Sequence, residues 1–82
     1  MQDNIKIRII SSEKVVDVCN VQNIFLPLPN GTIEMLPGHC NYIGILSKGK
    51  VSYKTIDDEE KSFDINSGVC SLFDGGLEIL ID

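Results

Sequence analysis

Tight-turn signals interrupt this chain so often that no helix of ordinary length fits between them. Ser11-Ser12-Glu13-Lys14, Asn30-Gly31, Pro37-Gly38, Ser47-Lys48-Gly49, Asn66-Ser67-Gly68 and Asp74-Gly75-Gly76 punctuate the sequence, and a charge run falls at Asp57-Asp58-Glu59-Glu60. Between them lie short runs with period-two alternation, the mark of strands that bury one face. In residues 4–10, Ile5, Ile7 and Ile9 point one way while Lys6 and Arg8 point the other. Residues 50–56 set Val51, Tyr53 and Thr55 against Lys50, Ser52 and Lys54, and residues 61–65 turn Phe63 and Ile65 inward. Residues 15–18 read as a short strand. Residues 21–28 read as a separate one, which Pro27 and Pro29 confine to an edge or bring to its end, because proline has no N–H to donate to a ladder. Residues 42–46, Tyr-Ile-Gly-Ile-Leu, are apolar enough to be buried on both faces. Residues 69–73 and 77–81 complete the set. The expectation is an all-β fold, a small antiparallel β-sandwich or flattened barrel of about 8–10 short strands.

A chain of 82 residues holds one core, so residues 1–82 are expected to form a single domain with no cleft between domains. Its 43% apolar and 23% charged residues are those of a globular protein. The net charge of −5 argues against nucleic acid, whose binding rests on Lys and Arg neutralising phosphates. Cys19, Cys40 and Cys70 are an odd number without a CxxC pair, and only one histidine accompanies them. That pattern suits neither a zinc site nor a secreted disulfide framework, and a reducing cytoplasmic compartment is the economical reading. No apolar run approaches the ~20 residues of a membrane span, and Met1-Gln2-Asp3-Asn4 lacks the basic start of a signal peptide. Attachment to a membrane is therefore expected to come through another protein.

The most constrained stretch is residues 30–40, Asn-Gly-Thr-Ile-Glu-Met-Leu-Pro-Gly-His-Cys. Asn30-Gly31 suits a type I′ hairpin turn, in which both central residues take positive φ, and Pro37-Gly38 suits a type II turn. His39 is the lone histidine and the only candidate proton shuttle. Catalysis needs a second group to orient or activate it, and no Ser, Cys or carboxylate occurs in a nucleophile motif, so no catalytic residue is assigned. Asp57-Asp58-Glu59-Glu60 lacks the spacing and internal glycine of a calcium loop and reads as a solvated hairpin tip. The glycines form neither GxGxxG nor a Walker sequence, and Gly75-Gly76 precedes a strand, so no cofactor or metal site is assigned. The residues alone describe a noncatalytic β domain with one distinctive surface loop.

At Leu36-Pro37-Gly38-His39 the sequence resembles a known family, the N-terminal β-sandwich domain of the epsilon subunit of F-type ATP synthase, equivalent to the delta subunit of the mitochondrial enzyme. The family opens with an alternating strand and a Ser- and Glu-containing turn, here residues 5–10 followed by Ser11-Ser12-Glu13. Its Gly-x-x-Gly-Ile-x-Pro-Gly-His-Ala-Pro segment appears as residues 31–41, and its Pro-Gly and Gly-Gly turns as Lys48-Gly49 and Ser67-Gly68. Its closing strand appears as Leu77-Glu78-Ile79-Leu80-Ile81-Asp82. Glu34 stands where the family has a second glycine, Asn41 replaces the proline after the motif, and the early Phe-x-Gly signal is missing around Asp17 to Cys19.

The resemblance implies a noncatalytic rotor subunit of the central stalk, at the cytoplasmic face of the bacterial inner membrane. It would bind the gamma subunit and the c-ring and so couple proton translocation to ATP synthesis. Asn30, Gly31, Thr32 and Glu34 would face the c-ring, and Leu36, His39 and Tyr42 would lie towards gamma. The family usually adds two C-terminal helices, and the sequence stops at Asp82, so a short form that couples without inhibition by those helices is expected. Two readings compete: a free-standing β-sandwich interaction module, and a small hydrolase using His39.

Overall fold

A computed structural model describes residues 4–82 and contains eight strands: β1 (Ile5–Ile10), β2 (Val15–Leu28), β3 (Gly31–Met35), β4 (Tyr42–Leu46), β5 (Gly49–Thr55), β6 (Glu60–Ile65), β7 (Gly68–Phe73) and β8 (Gly76–Ile81). They make one curled sheet in the order β4-β7-β8-β1-β2-β5-β6, with β3 also paired to β2. The fold is all-β, as expected, and among the described residues there is no helix. All pairings are antiparallel except that of β1 with β8, which is parallel and runs from Lys6 opposite Gly76 to Ile10 opposite Leu80.

The alternation in β1, β5 and β6 orients those strands as expected. Ile5, Ile7, Ile9, Val51, Tyr53, Thr55 and Ile65 are buried, Lys6, Arg8 and Lys50 face solvent, and Ser52 and Lys54 are half-buried on that outer side. Inward positions on neighbouring strands line up into rows. Ile7, Leu77 and Leu72 form one, ending on Tyr42, and Ile9, Ile79 and Cys70 form another, ending on Gly44. With Val21, Ile24, Leu26, Met35 and Leu46 these residues make the core. Each large aliphatic side chain taken fully out of water stabilises the sheet by roughly 1.5–3 kcal/mol.

Residues 15–28 are not two strands but one, a correction with a clear physical cause. The inward positions are Asp17, Cys19 and Val21 in the first half and Ile24, Leu26 and Leu28 in the second, so the parity changes at Gln22. A register shift relative to β5 lies between Val21 and Asn23, the mark of a β-bulge, which bends a strand without ending it. The bulged Gln22 side chain donates from Nε2 to the Thr55 carbonyl at 2.9 Å and to Asp58 Oδ1 at 2.7 Å. The bulge falls where β2 exchanges one neighbour for another: β1 pairs with residues 15–21 and β3 with residues 24–28. Pro27 lies one residue from the end of β2, and its carbonyl accepts the Ser47 N–H at 2.9 Å. A Cβ on Gly49 would meet the Pro27 Cβ at 2.7 Å, so this corner is built around a glycine.

The first hairpin also differs from expectation. Leu28 pairs with Gly31, so the turn is centred on Pro29-Asn30 rather than Asn30-Gly31. Proline at the first central position and glycine at the fourth are the preferences of a type I turn, and only Gly31, at φ 133°, takes a positive value here. Proline wins because its ring already fixes the φ that the turn's first central residue needs.

Candidate functional site

The second turn forms as read from the sequence. The His39 N–H donates to the Leu36 carbonyl at 3.0 Å and Gly38 has φ +88°, which is the type II arrangement with Pro37 and Gly38 at its centre. The turn leaves Leu36 52% exposed and sets His39 against the edge of the Tyr42 ring, centroids 6.3 Å apart at 89°. His39 Nδ1 donates to the Cys40 carbonyl, an acceptor 2.7 Å away. After the turn, Asn41 Oδ1 accepts the N–H of Asp74 at 3.0 Å. Asp74 and Gly75, at φ 50° and 81°, are the tight turn between β7 and β8. Asn41 therefore ties the Pro-Gly-His loop to that turn.

Asn30, Gly31, Thr32 and Glu34 are all exposed. The first three form the hairpin tip, whereas Glu34 stands further back, opposite Phe25, where its Oε2 accepts from Asn23 Nδ2 at 3.1 Å. The structure thus joins His39 to Tyr42 and groups Asn30 with Gly31 and Thr32, but holds Glu34 over the outer face of β2.

Residues 42–46 are not buried on both faces. β4 is a terminal strand of the sheet. Leu46 is buried, but Ile43 is 83% and Ile45 70% exposed. The inward side of β4 is filled unusually: a Cβ on Gly44 would lie 2.6 Å from the Tyr42 ring, so that ring folds over the glycine. Ile45, Val69, Leu80 and Ile10 stand opposite one another on β4, β7, β8 and β1, forming an apolar row on the outer face. A groove of about 430 Å³ runs between β4 and the first hairpin, walled by Leu28, Pro29 and Asn30 on the hairpin side and by Tyr42, Ile43 and Ile45 on the β4 side, with Gly44 and Val69 completing it. Sequence reasoning missed Ile43 and Ile45 as surface residues. The signal was the glycine between them, which leaves the opposite face of the strand short of a side chain.

Elsewhere among the described residues no buried side-chain nitrogen or oxygen lacks a hydrogen-bond partner. Asp17, on the inner side of β2, accepts from Tyr53 Oη at 2.6 Å and Lys61 Nζ at 3.2 Å. These partners, Tyr53 first, hold the Asp17 carboxyl below the usual carboxylate range, while burial pushes the Tyr53 phenol up. Burial likewise raises the Cys19 and Cys70 thiols, the opposite of an activated nucleophile. A second concavity of about 390 Å³ over β2, β5 and β6 carries Lys50, Lys54 and Lys61. Lys54 already faces Asp58 at 3.8 Å and Lys61 is bound to Asp17. Among the described residues no three His, Cys, Asp or Glu side chains gather as metal ligands.

The family model for the ATP synthase delta/epsilon chain β-sandwich domain matches residues 4–82. An ATP synthase epsilon chain of Clostridium botulinum strain Eklund 17B is 25% identical over 79 residues, which is 96% of this chain and 59% of the relative. One from strain Hall is 26% identical over 82 residues, 100% of this chain and 62% of the relative. The chain thus spans about 60% of the length of these relatives. Among solved structures, a chain of the Euglena gracilis mitochondrial ATP synthase OSCP/F1/c-ring structure superposes with a TM-score of 0.89 at 17% identity, covering 96% of this chain and 51% of that one. A chain of the Tetrahymena thermophila mitochondrial ATP synthase central stalk/c-ring gives 0.80 at 12% identity, covering 94% and 62%. At those identities the structural likeness bears on the fold.

Proposed function

Because the chain belongs to the ATP synthase delta/epsilon-chain β-sandwich family, we propose that it is a noncatalytic central-stalk subunit that binds gamma and the c-ring and couples proton translocation to ATP synthesis. Residues 1–82 act as one domain in this reading, peripheral to the cytoplasmic face of a bacterial inner membrane and held there by the complex. Asn30, Gly31 and Thr32 meet the polar loops of the ring at the hairpin tip, with Glu34 behind them. Leu36, His39 and Tyr42 form the shoulder turned to gamma.

The observation that carries the reading is the placement of the Pro-Gly-His turn beside an uncharged sheet edge. His39 packs on Tyr42, Tyr42 lines the groove, and Ile43 and Ile45 extend that surface with apolar area which a lone domain would leave in water. His39 has its imidazole Nδ1 engaged by a backbone carbonyl and stands against an aromatic ring, an arrangement suited to contact rather than proton transfer. Isolation of the complex under mild conditions from cells carrying a tagged chain tests the proposal. Recovery of gamma and the c-ring with the chain is expected. A folded chain recovered without either would overturn it and favour a free-standing interaction module.

A further inference from the structure

None of residues 36–41 is fully buried, so apolar packing does little to hold the loop that they form between β3 and β4. Two of the loop's hydrogen bonds are internal, from the His39 N–H to the Leu36 carbonyl and from His39 Nδ1 to the Cys40 carbonyl. The third, from the Asp74 N–H to Asn41 Oδ1, joins it to a turn 33 residues further along the chain. That turn is built to receive it. Phe73 pairs with Gly76, so Asp74 and Gly75 are the two central residues of a hairpin, and their φ values of 50° and 81° are both positive, as a type I′ turn requires. The turn's own bond uses the Gly76 N–H and the Phe73 carbonyl, which leaves the Asp74 N–H without a partner inside the hairpin. The Gly75 carbonyl accepts the Lys6 N–H at 3.2 Å, so the turn is itself fixed to the start of β1, an interior strand of the sheet.

We propose that Asn41 is the positioning residue of the Pro-Gly-His loop: its side chain takes an N–H that the β7–β8 turn leaves free and thereby sets where the loop stands against the sheet. The line of contacts runs from the loop through Asn41 to Asp74, and from Gly75 to Lys6 in β1. Both turns are already confined, one by Pro37 and Gly38 and the other by the positive φ of Asp74 and Gly75, so a single bond fixes two stiff pieces relative to each other. Between flexible segments the entropy of ordering them would offset the same bond. This deepens the functional reading above and rests on it for its purpose, since Leu36 and His39 belong to the shoulder described there. A loop set before contact loses less freedom when contact is made.

Amide hydrogen exchange and backbone amide relaxation in the free chain test this role, with Asn41→Ala removing the acceptor and Asn41→Asp keeping one. In the native chain the Asp74 amide is protected although its turn is exposed. In Asn41→Ala it exchanges faster by about threefold or more and the amides of Gly38, His39 and Cys40 gain motion, while those of the β5–β6 turn are unchanged. Asn41→Asp restores at least part of both the protection and the order, which a change of loop composition alone would not do. An Asp74 amide that is already fast in the native chain overturns the proposal, as does one that Asn41→Ala frees without added motion at residues 38–40, or an Asn41→Asp chain that behaves like Asn41→Ala. No partner enters these measurements, so any of those results leaves the assignment of the shoulder to gamma standing. A chain that recovers no gamma from cells removes that assignment, and the exchange data then decide the positioning role by themselves.

Discussion

Along β6 the solvent-facing positions carry Glu60, Ser62 and Asp64, while Lys61 reaches inward to Asp17; along β4 they carry Ile43 and Ile45. Both strands end the same sheet, so topology alone does not account for the difference. An unguarded edge with apolar side chains promotes association, and a small acidic domain can discourage it with a few charges, as β6 does. β4 lacks such charges and lies beside the turn with the lone histidine, so the two ends of one sheet present opposite surface chemistry.

The largest expected effect breaks that contrast directly. Ile45→Glu introduces onto β4 the kind of guard that β6 already has, and should weaken association with gamma by at least about tenfold, whereas Ser62→Glu on β6 should leave it unchanged. Binding measured by calorimetry for both variants checks the pair, and equal losses would erase the distinction between the edges. Next comes the corner that holds the end of β4. Gly49→Ala drives a Cβ into the rigid ring of Pro27, beside the carbonyl that anchors Ser47, and should cost about 1–3 kcal/mol in urea unfolding.

The β6 edge has its own anchor in Asp17. Replacing it by Asn should destabilise the chain by about 1 kcal/mol at neutral pH, since the charged acceptor of Tyr53 and Lys61 is lost. The folded-state pKa of Asp17 is lowered, so its contribution is present above the unfolded value near ~3.9 and fades as pH falls through the lower folded value. Unfolding followed from neutral to acid pH should therefore show the native chain and Asp17→Asn converging below about pH 4. The smallest effect sharpens the β4 side: Asn41→Ala removes one exposed hydrogen bond to Asp74 and should cost about 0.5 kcal/mol, with looser packing of the loop read from His39 ring resonances.

Much of this sheet was legible because alternation reports burial directly, as in Ile5, Ile7 and Ile9. The Pro37-Gly38 turn was legible because proline and glycine each permit the one conformation that their turn position demands. Three features were not. The bulge at Gln22 shifts the inward parity of β2, so a strict period-two reading splits one strand into two. Pro29 competes with Asn30-Gly31 for the first hairpin, and two nearby turn signals do not reveal which prevails. For residues 42–46 an apolar run could not be told from a buried strand, because sequence does not say whether a neighbour exists on the far side. Leu36, His39 and Tyr42 came from the family resemblance, and only their packing, not their partner, is a matter of geometry.

The parallel seam between β1 and β8 also bears on how the molecule forms. Arg8 and Glu78, which face each other across it at 3.4 Å, are 70 residues apart in the chain. The hairpins β2–β3, β5–β6 and β7–β8 can each begin locally, but the middle of the sheet cannot join until both ends of this stretch are available. Closing so long a loop before its contacts repay it is slow. A nascent chain leaving the ribosome would hold Ile5, Ile7 and Ile9 without their β8 neighbours until translation had delivered β8, so the core face of β1 waits on a strand some 70 residues further along.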